Sequence, residues 1–443
     1  MSVTLPLKET LAFGRDPLKT SERWRAEHGD FIRSPILPGV EMVTLFDPKD
    51  IRQVLATDHR SYRKDSWTRE VTDFLGNGLV TSEGDFWKKQ RRLANPAFHK
   101  AAIDGYARTM VAETQLRLES WPARSQVDIA DEMMRLTLDI AAKTLFGAQV
   151  SREVSDLIGQ TIGFMMEDYQ GVMGTGVRLP AWLPTPHNFQ KRRLLGRAHG
   201  LIDELIEHKR SEPDDGSLLA MLIRATYEDG THMAAEQLRD EATTLLMAGH
   251  ETTANALIYA LYLLSLHPEV EERLHDEVDA LPGVPTLADL TQLTYTDQVI
   301  CEVMRLYPPV WGIGREPLHD VEIRGEHVKK GTQIYISQWA THRDPRFFDD
   351  PESFRPERWT PQMKKSLPHF AYFPYGGGPR ICIGKRFAQM EANLVLATIA
   401  QRYAARLAPG ETLDLLPSVT LRPRDGLQMT VHSRASQPAE RVA

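Results

Sequence analysis

The sequence predicts a mainly α fold with small β-sheets (α+β), built as a single large domain over residues 1–443. Three observations carry this. Long stretches keep a helical period, the longest from Met233 to Leu266. Strand-like alternation is confined to short segments such as Val40–Phe46. No Gly/Ser linker, repeat or low-complexity block divides the 443 residues, so the roughly three domains that length alone would suggest are not expected.

Composition narrows the function classes. A net charge of −7 without a polybasic tail argues against nucleic-acid partners. The two cysteines, Cys301 and Cys382, sit in different local patterns and read as cytosolic thiols rather than a disulfide framework. No apolar run near the N-terminus approaches a signal segment or a membrane span, so a soluble, cytoplasmic monomer is expected. Residues 1–15 and 434–443 are expected to be flexible.

In chain order, Val40–Phe46 reads as a strand ending at Asp47-Pro48, and Asp50–Ala56 as a short helix. Tyr62–Val80, with Leu75, reads as an irregular connection that turns at Gly76-Asn77-Gly78. Asp85 opens a helix on which Trp87 and Arg91, four apart, share a face. Ile129–Leu145 and Val154–Met166 are helical, and Phe164, Met165 and Met166 add flexible apolar bulk. Leu179–Pro186 is a Pro-rich connector, followed by a basic amphipathic helix from Lys191 to Lys209.

The Met233–Leu266 helix spans roughly 45–50 Å and is stopped by Pro268. Its middle, Met247-Ala248-Gly249-His250-Glu251-Thr252-Thr253, is poor helix material in an apolar setting. A Thr252 hydroxyl bonded to the Ala248 carbonyl would bend or open the helix, and Gly249 would leave space above whatever packs there. His250, pointing away from its neighbours, reads as a packing or surface residue.

Thr294–Tyr307 is a helix ending at Pro308-Pro309 and carrying Glu302 and Arg305 at i, i+3. Arg358 follows in Pro356-Glu357-Arg358-Trp359. Val321–Ser337 alternates like a hairpin, with turns at Arg324-Gly325 and Lys330-Gly331. The last long apolar run, Phe387–Ile399, is preceded by Phe373-Pro374-Tyr375-Gly376-Gly377-Gly378-Pro379-Arg380-Ile381-Cys382-Ile383-Gly384. This glycine-rich loop delivers one cysteine to the start of a helix, where the dipole and backbone N–H groups favour a thiolate. A phosphate loop is excluded, because Pro379 and Arg386 stand where Gly and Ser/Thr are required. Zinc is excluded, since no Cys or His lies within a dozen residues of Cys382. A single soft ligand for a macrocycle-bound metal, or a buried structural thiol, both remain.

The loop resembles the haem-binding loop of the cytochromes P-450: an aromatic, two residues, Gly, one residue, Arg, one residue, Cys, one residue, Gly. Here these are Tyr375, Gly378, Arg380, Cys382 and Gly384. Tyr375 departs from the usual Phe; its ring should pack beside the sulfur, and a phenol there would alter the iron by hydrogen bonding. The central helix is similar to the family's Ala-Gly-x-Glu-Thr motif, at Ala248, Gly249, Glu251 and Thr252.

The resemblance implies a soluble, prokaryotic-type member with the cytochrome P-450 fold and a heme b whose iron is ligated by the Cys382 thiolate. It implies that Gly249 makes room for dioxygen and that Glu251 and Thr252 manage protons as an acid–alcohol pair. Trp87, Arg91, Arg315 and Arg380 would hold the propionates, with good donors for a carboxylate. Glu302, Arg305 and Arg358 would form a structural ion-pair frame behind the loop. Substrate contacts would come from Leu75, Phe164, Met247, Val310, Trp311, Ile313 and Val419.

The implied activity is monooxygenation, placing one atom of dioxygen into an apolar small molecule by hydroxylation or epoxidation. The substrate would be a fatty acid, terpenoid, carotenoid or steroid. Electrons would come from a ferredoxin or flavodoxin with its NAD(P)H-dependent reductase, docked on Lys88, Lys89, Arg92, Lys385 and Arg386. A peroxide-driven peroxygenase would dispense with Glu251 and Thr252, and a non-catalytic haem-thiolate sensor would have no need of a proton relay.

Overall fold

The longest helix, Ala235–Leu266, organises the molecule. From Ala254 to Leu264 almost every side chain is buried, so this half is apolar all round and runs through the core. His267-Pro268 ends it, and Pro268 opens the next helix, Pro268–Asp279, where a missing N–H costs nothing. Ile129–Leu145 packs along the central helix and is capped by the Asp128 carboxylate, which accepts the Ala130 and Asp131 N–H groups. Lys385–Arg402, the helix that follows the cysteine loop, packs on the other side. The computed structural model describes residues 3–434 except 38, 150, 176–179 and 181. Part of the Pro-rich connector expected at 179–186 therefore lies outside the described residues, as do 435–443.

Among the described residues, four small sheets flank the helices. The largest has six strands in the order Val3–Thr4, Phe31–Leu37, Val40–Leu45, Gln333–Ser337, Gly312–Pro317 and Tyr62–Arg63. Gly314 lies opposite Tyr335, and Arg315 opposite Ile334. A three-stranded antiparallel sheet joins Tyr403–Leu407, Gln428–Ser433 and Arg124–Asp128.

Three expectations are corrected. Residues 3–15 are not a flexible tail: Val3–Thr4 pairs with Phe31–Leu37, and Leu7–Arg15 is a helix that buries Phe13 against Trp24 and Tyr335. Tyr62–Val80 contains two short helices, Ser66–Glu70 and Thr72–Leu75; the first is capped by Asp65. The hairpin expected over 321–337 closes only once, between Val321–Ile323 and Glu326–Val328, while Gln333–Ser337 joins the large sheet. Every residue of that last strand is buried, so its partner is the core sheet rather than its sequence neighbour.

Behind the cysteine loop lies a buried ionic frame. Arg305 donates Nε and Nη2 to the two Glu302 carboxylate oxygens at 2.8 and 2.7 Å, and both side chains are fully buried. Arg358 Nε and the Trp359 indole N–H also donate to Glu302, each at 2.8 Å. Arg305 Nη1 continues to the His342 carbonyl. The His342 ring then accepts the Phe373 N–H at 3.0 Å, and Gln338 donates to the Phe373 carbonyl at 2.6 Å. The first residue of the loop is thus pinned on both sides. Burial, reinforced by Arg305 and Arg343, lowers the His342 pKa to about 3, so the ring stays neutral and able to accept. Replacing Glu302 by Gln strands two guanidinium groups and should cost roughly 3–5 kcal/mol in denaturant unfolding of the holoprotein. The exposed Arg424–Asp414 pair is the control, and Arg424→Gln should cost under about 1 kcal/mol.

Candidate active site

The loop reaches the site as a chain of tight constraints. Gly378 has φ +65°, and a Cβ there would lie 1.9 Å from the Leu55 carbonyl oxygen, so only glycine fits. The Cys382 N–H donates to the Tyr375 carbonyl at 3.0 Å, and Arg91 Nη1 donates to the Ile381 carbonyl at 2.7 Å. These bonds aim the Cys382 sulfur into an internal cavity of about 430 Å³.

Across that cavity stands the middle of the central helix. Ala248, Gly249, Glu251 and Thr252 line it, together with Met247. Thr252 Oγ1 faces the cavity and donates to the Ala248 carbonyl at 3.0 Å, yet the helix runs through without interruption. Glu251 is buried and accepts the Thr420 hydroxyl at 2.6 Å. Burial raises its pKa, against the opposing pull of Thr420 and Arg422. His250 is a packing residue: its Nδ1 meets the Leu246 carbonyl at 3.0 Å, and burial lowers its pKa to about 4.

Gly249 lines the cavity, and a Cβ there would meet Leu145 Cδ1 at 3.2 Å, so the glycine also lets Ile129–Leu145 approach closely. Phe164 is corrected. It does not line the cavity but stacks on His187 at 4.8 Å, whereas its neighbours Met165 and Met166 face inward. Leu75, Val310, Trp311, Ile313 and Val419 do line it. Trp311 donates to the Ser418 carbonyl at 2.7 Å and Ser418 to the Met166 carbonyl at 2.8 Å, which fixes the C-terminal turn as a wall.

The sulfur's electrostatics differ from the expected thiolate. Burial pushes the Cys382 thiol up, opposed by the Gly384 N–H, then by Arg91 and Lys385. Its exposed surface opens on the cavity. Protein groups alone therefore favour the thiol, and a coordinated metal ion would hold it deprotonated. Cys301 is elsewhere, with its pKa pushed up to about 12 by burial and by Asp297. Tyr375 lines the cavity next to the loop, and the Lys385 ammonium lies 5.7 Å from its ring centre.

Whether a haem fits is answered by the cations. Lys64, Arg315 and Arg380 all line the cavity. Arg380 pairs with Glu83, but its Nη1 is buried without a hydrogen-bond partner. Arg315 Nη1 donates to the carbonyl of its own neighbour, Gly314, and the guanidinium makes no ion pair among the described residues. Burial, with Arg380 adding, lowers Arg315 to about 10; burial, with Arg315 and Arg380 adding, lowers Lys64 to about 7. Three cations facing Glu83 and Asp65 leave room for added negative charge, which two propionates supply. Lys64 had no motif to announce it. Trp87 and Arg91 do not line the cavity: the Trp87 ring lies under Arg380 at 4.0 Å and near Arg91 at 5.8 Å, bracing Arg380 from behind.

Comparison with known proteins agrees with this arrangement. Residues 9–431 match the cytochrome P450 family model. The chain is 36% identical to the cyclooctat-9-en-7-ol 5-monooxygenase of Streptomyces melanosporofaciens, covering 92% of this chain and 89% of the relative. It is 32% identical to the pentalenene oxygenase of Streptomyces avermitilis, covering 86% and 85%. Among solved structures, the retinoic acid-bound cyanobacterial CYP120A1 superposes with a TM-score of 0.85 at 29% identity, over 97% of this chain and 98% of that one. A cysteine loop facing the acid–alcohol pair of a central helix, beside cations that suit propionates, thus sits in a chain that belongs to the cytochrome P450 family of haem-thiolate monooxygenases.

Proposed function

We propose that this monooxygenase hydroxylates or epoxidises a terpenoid, with electrons from a separate ferredoxin or flavodoxin. The observation that carries the substrate class is the part of the chamber lining made by Trp67, Val71, Phe74, Leu75, Met165 and Met166, an apolar surface of rigid rings and adaptable thioethers. The two Streptomyces relatives, whose names refer to terpenoid oxidations, support the same reading.

Haem held on Cys382 supplies the oxygen-activating chemistry, with Arg315, Arg380 and Lys64 as its anion partners. The chain's own residues position substrate and handle protons. Burial favours the protonated form of Glu251, which makes it a proton store at the cavity wall, and Thr420 holds one of its oxygens in place. The Thr252 hydroxyl, resting on the Ala248 carbonyl, needs only a side-chain rotation to present its proton to the cavity. For electron entry, Lys88 is paired with Asp85 and Arg92 with Glu228, so Lys89, Lys385 and Arg386 carry the attraction for an acidic partner.

Three outcomes follow. A spin-shift titration of the holoenzyme should rank terpenoids at least about tenfold tighter than fatty acids or steroids of equal carbon number; a fatty acid in first place would overturn the substrate class. Thr252→Ala should bind substrate as the wild type does while product formed per NAD(P)H consumed falls by about tenfold or more, the remainder appearing as hydrogen peroxide. The Lys89→Glu/Arg386→Glu variant should slow ferredoxin-driven turnover by roughly tenfold at low salt and leave peroxide-driven turnover unchanged. Equal loss of both would place the charges outside the docking face.

A further inference from the structure

A proton store at the chamber wall needs a route back to solvent. Once an apolar substrate fills the chamber, water no longer brings protons from that side. The central helix offers another side. Glu251, Asn255 and Tyr259 stand at i, i+4 and i+8, which puts them on one face within roughly 80° of arc. Glu251 lines the chamber, whereas Asn255 and Tyr259 do not. Both of these are fully buried. Neither the oxygen nor the nitrogen of the Asn255 amide has a hydrogen-bond partner among the described residues, and the Tyr259 hydroxyl has none either.

A C-terminal strand runs past this face. Thr420 donates to Glu251 at 2.6 Å. Arg422, two residues on in the strand Leu421–Pro423, leaves the chain on the same side. Its guanidinium is within electrostatic reach of both Glu251 and Tyr259, the two ends of the stripe. Its Nε is buried without a partner, yet the residue as a whole is only half-buried, so the stripe opens toward solvent at this strand. A buried donor or acceptor left unpaired is costly, and proteins meet such groups with ordered water. The amide and the phenol each donate and accept, while the guanidinium only donates. Burial, then the neighbouring Tyr307, raises Tyr259 well above the ordinary phenol range, so it stays neutral and able to do both.

We propose that Asn255, Tyr259 and Arg422 hold a file of water molecules beside the central helix, and that Glu251 is reprotonated along this file rather than through the substrate chamber. Glu251 gives its proton to the chamber and takes one back from the water next to it; each transfer moves one proton inward and breaks no other bond. Arg422 orients the outermost water, and the two helix residues position those within. This rests on the reading of Glu251 as the proton store and supplies its source.

The test follows the infrared carboxylic acid band of Glu251 after the holoprotein is mixed into D2O. Clotrimazole saturates the chamber, with its imidazole on the haem iron, and Glu251→Gln identifies the band by removing it. The band should reach its deuterated position at least about tenfold faster in the wild type than in Asn255→Leu/Tyr259→Phe. Those two changes remove unpartnered polar atoms and keep side-chain volume, so the unfolding midpoint should not fall. Arg422→Met, on a different element, should slow the exchange as well. Damage to packing would act the other way, because local opening speeds exchange. A rate unchanged in the double variant would overturn the file and leave Glu251 as a store fed from the chamber. A spectrum with no acid band that Glu251→Gln removes would overturn the store itself, and this inference with it.

Discussion

The Glu302 carboxylate is the constraint on which the site depends. A fully buried charge is tolerated only where every lone pair is met, and here Arg305, Arg358, the Trp359 indole and the Arg355 N–H meet it. Because Arg305 passes its remaining donors to the carbonyls of His342, Pro351 and Ser353, two separate segments are tied to one helix. His342 and Gln338 then hold Phe373, and the loop from Phe373 to Cys382 has little freedom left. The position of one sulfur is thus set by an ionic frame that touches neither substrate nor cofactor.

The opposite logic operates on the cavity side. There the chain leaves charge uncompensated: Lys64, Arg315 and Arg380 outnumber the carboxylates that face them, and burial pulls all three below their ordinary pKa values. The frame is complete by itself, whereas the cavity is completed by a dianionic cofactor. Incomplete polar groups within a well-packed fold therefore mark where ligands belong.

Much of this was legible in the chain. The Ile129–Leu145 helix and the Leu266 end of the central helix fall where periodicity and proline place them, because these segments are long and strongly patterned. Cys382, Glu251 and Thr252 were visible because their chemistry is carried by contiguous residues. The Lys100–Glu119 helix was missed; its apolar residues are spread round the axis instead of forming one stripe. Phe164 was misplaced because periodicity identifies a helix but not which neighbour meets each turn: the stacking with His187 joins residues 23 apart. Lys64 lies far along the chain from Arg315 and Arg380 and has meaning only once the fold brings all three to one cavity.

The central claim is that Cys382 is the haem ligand, and the carbon monoxide spectrum of the reduced holoprotein tests it most directly. The wild type should show the red-shifted Soret band of a thiolate-ligated haem, and Cys382→His, purified with haem retained, should lose it in favour of the band of a nitrogen-ligated haem. A thiolate-type band that persists in Cys382→His would contradict the assignment and, with it, the architecture built around that sulfur.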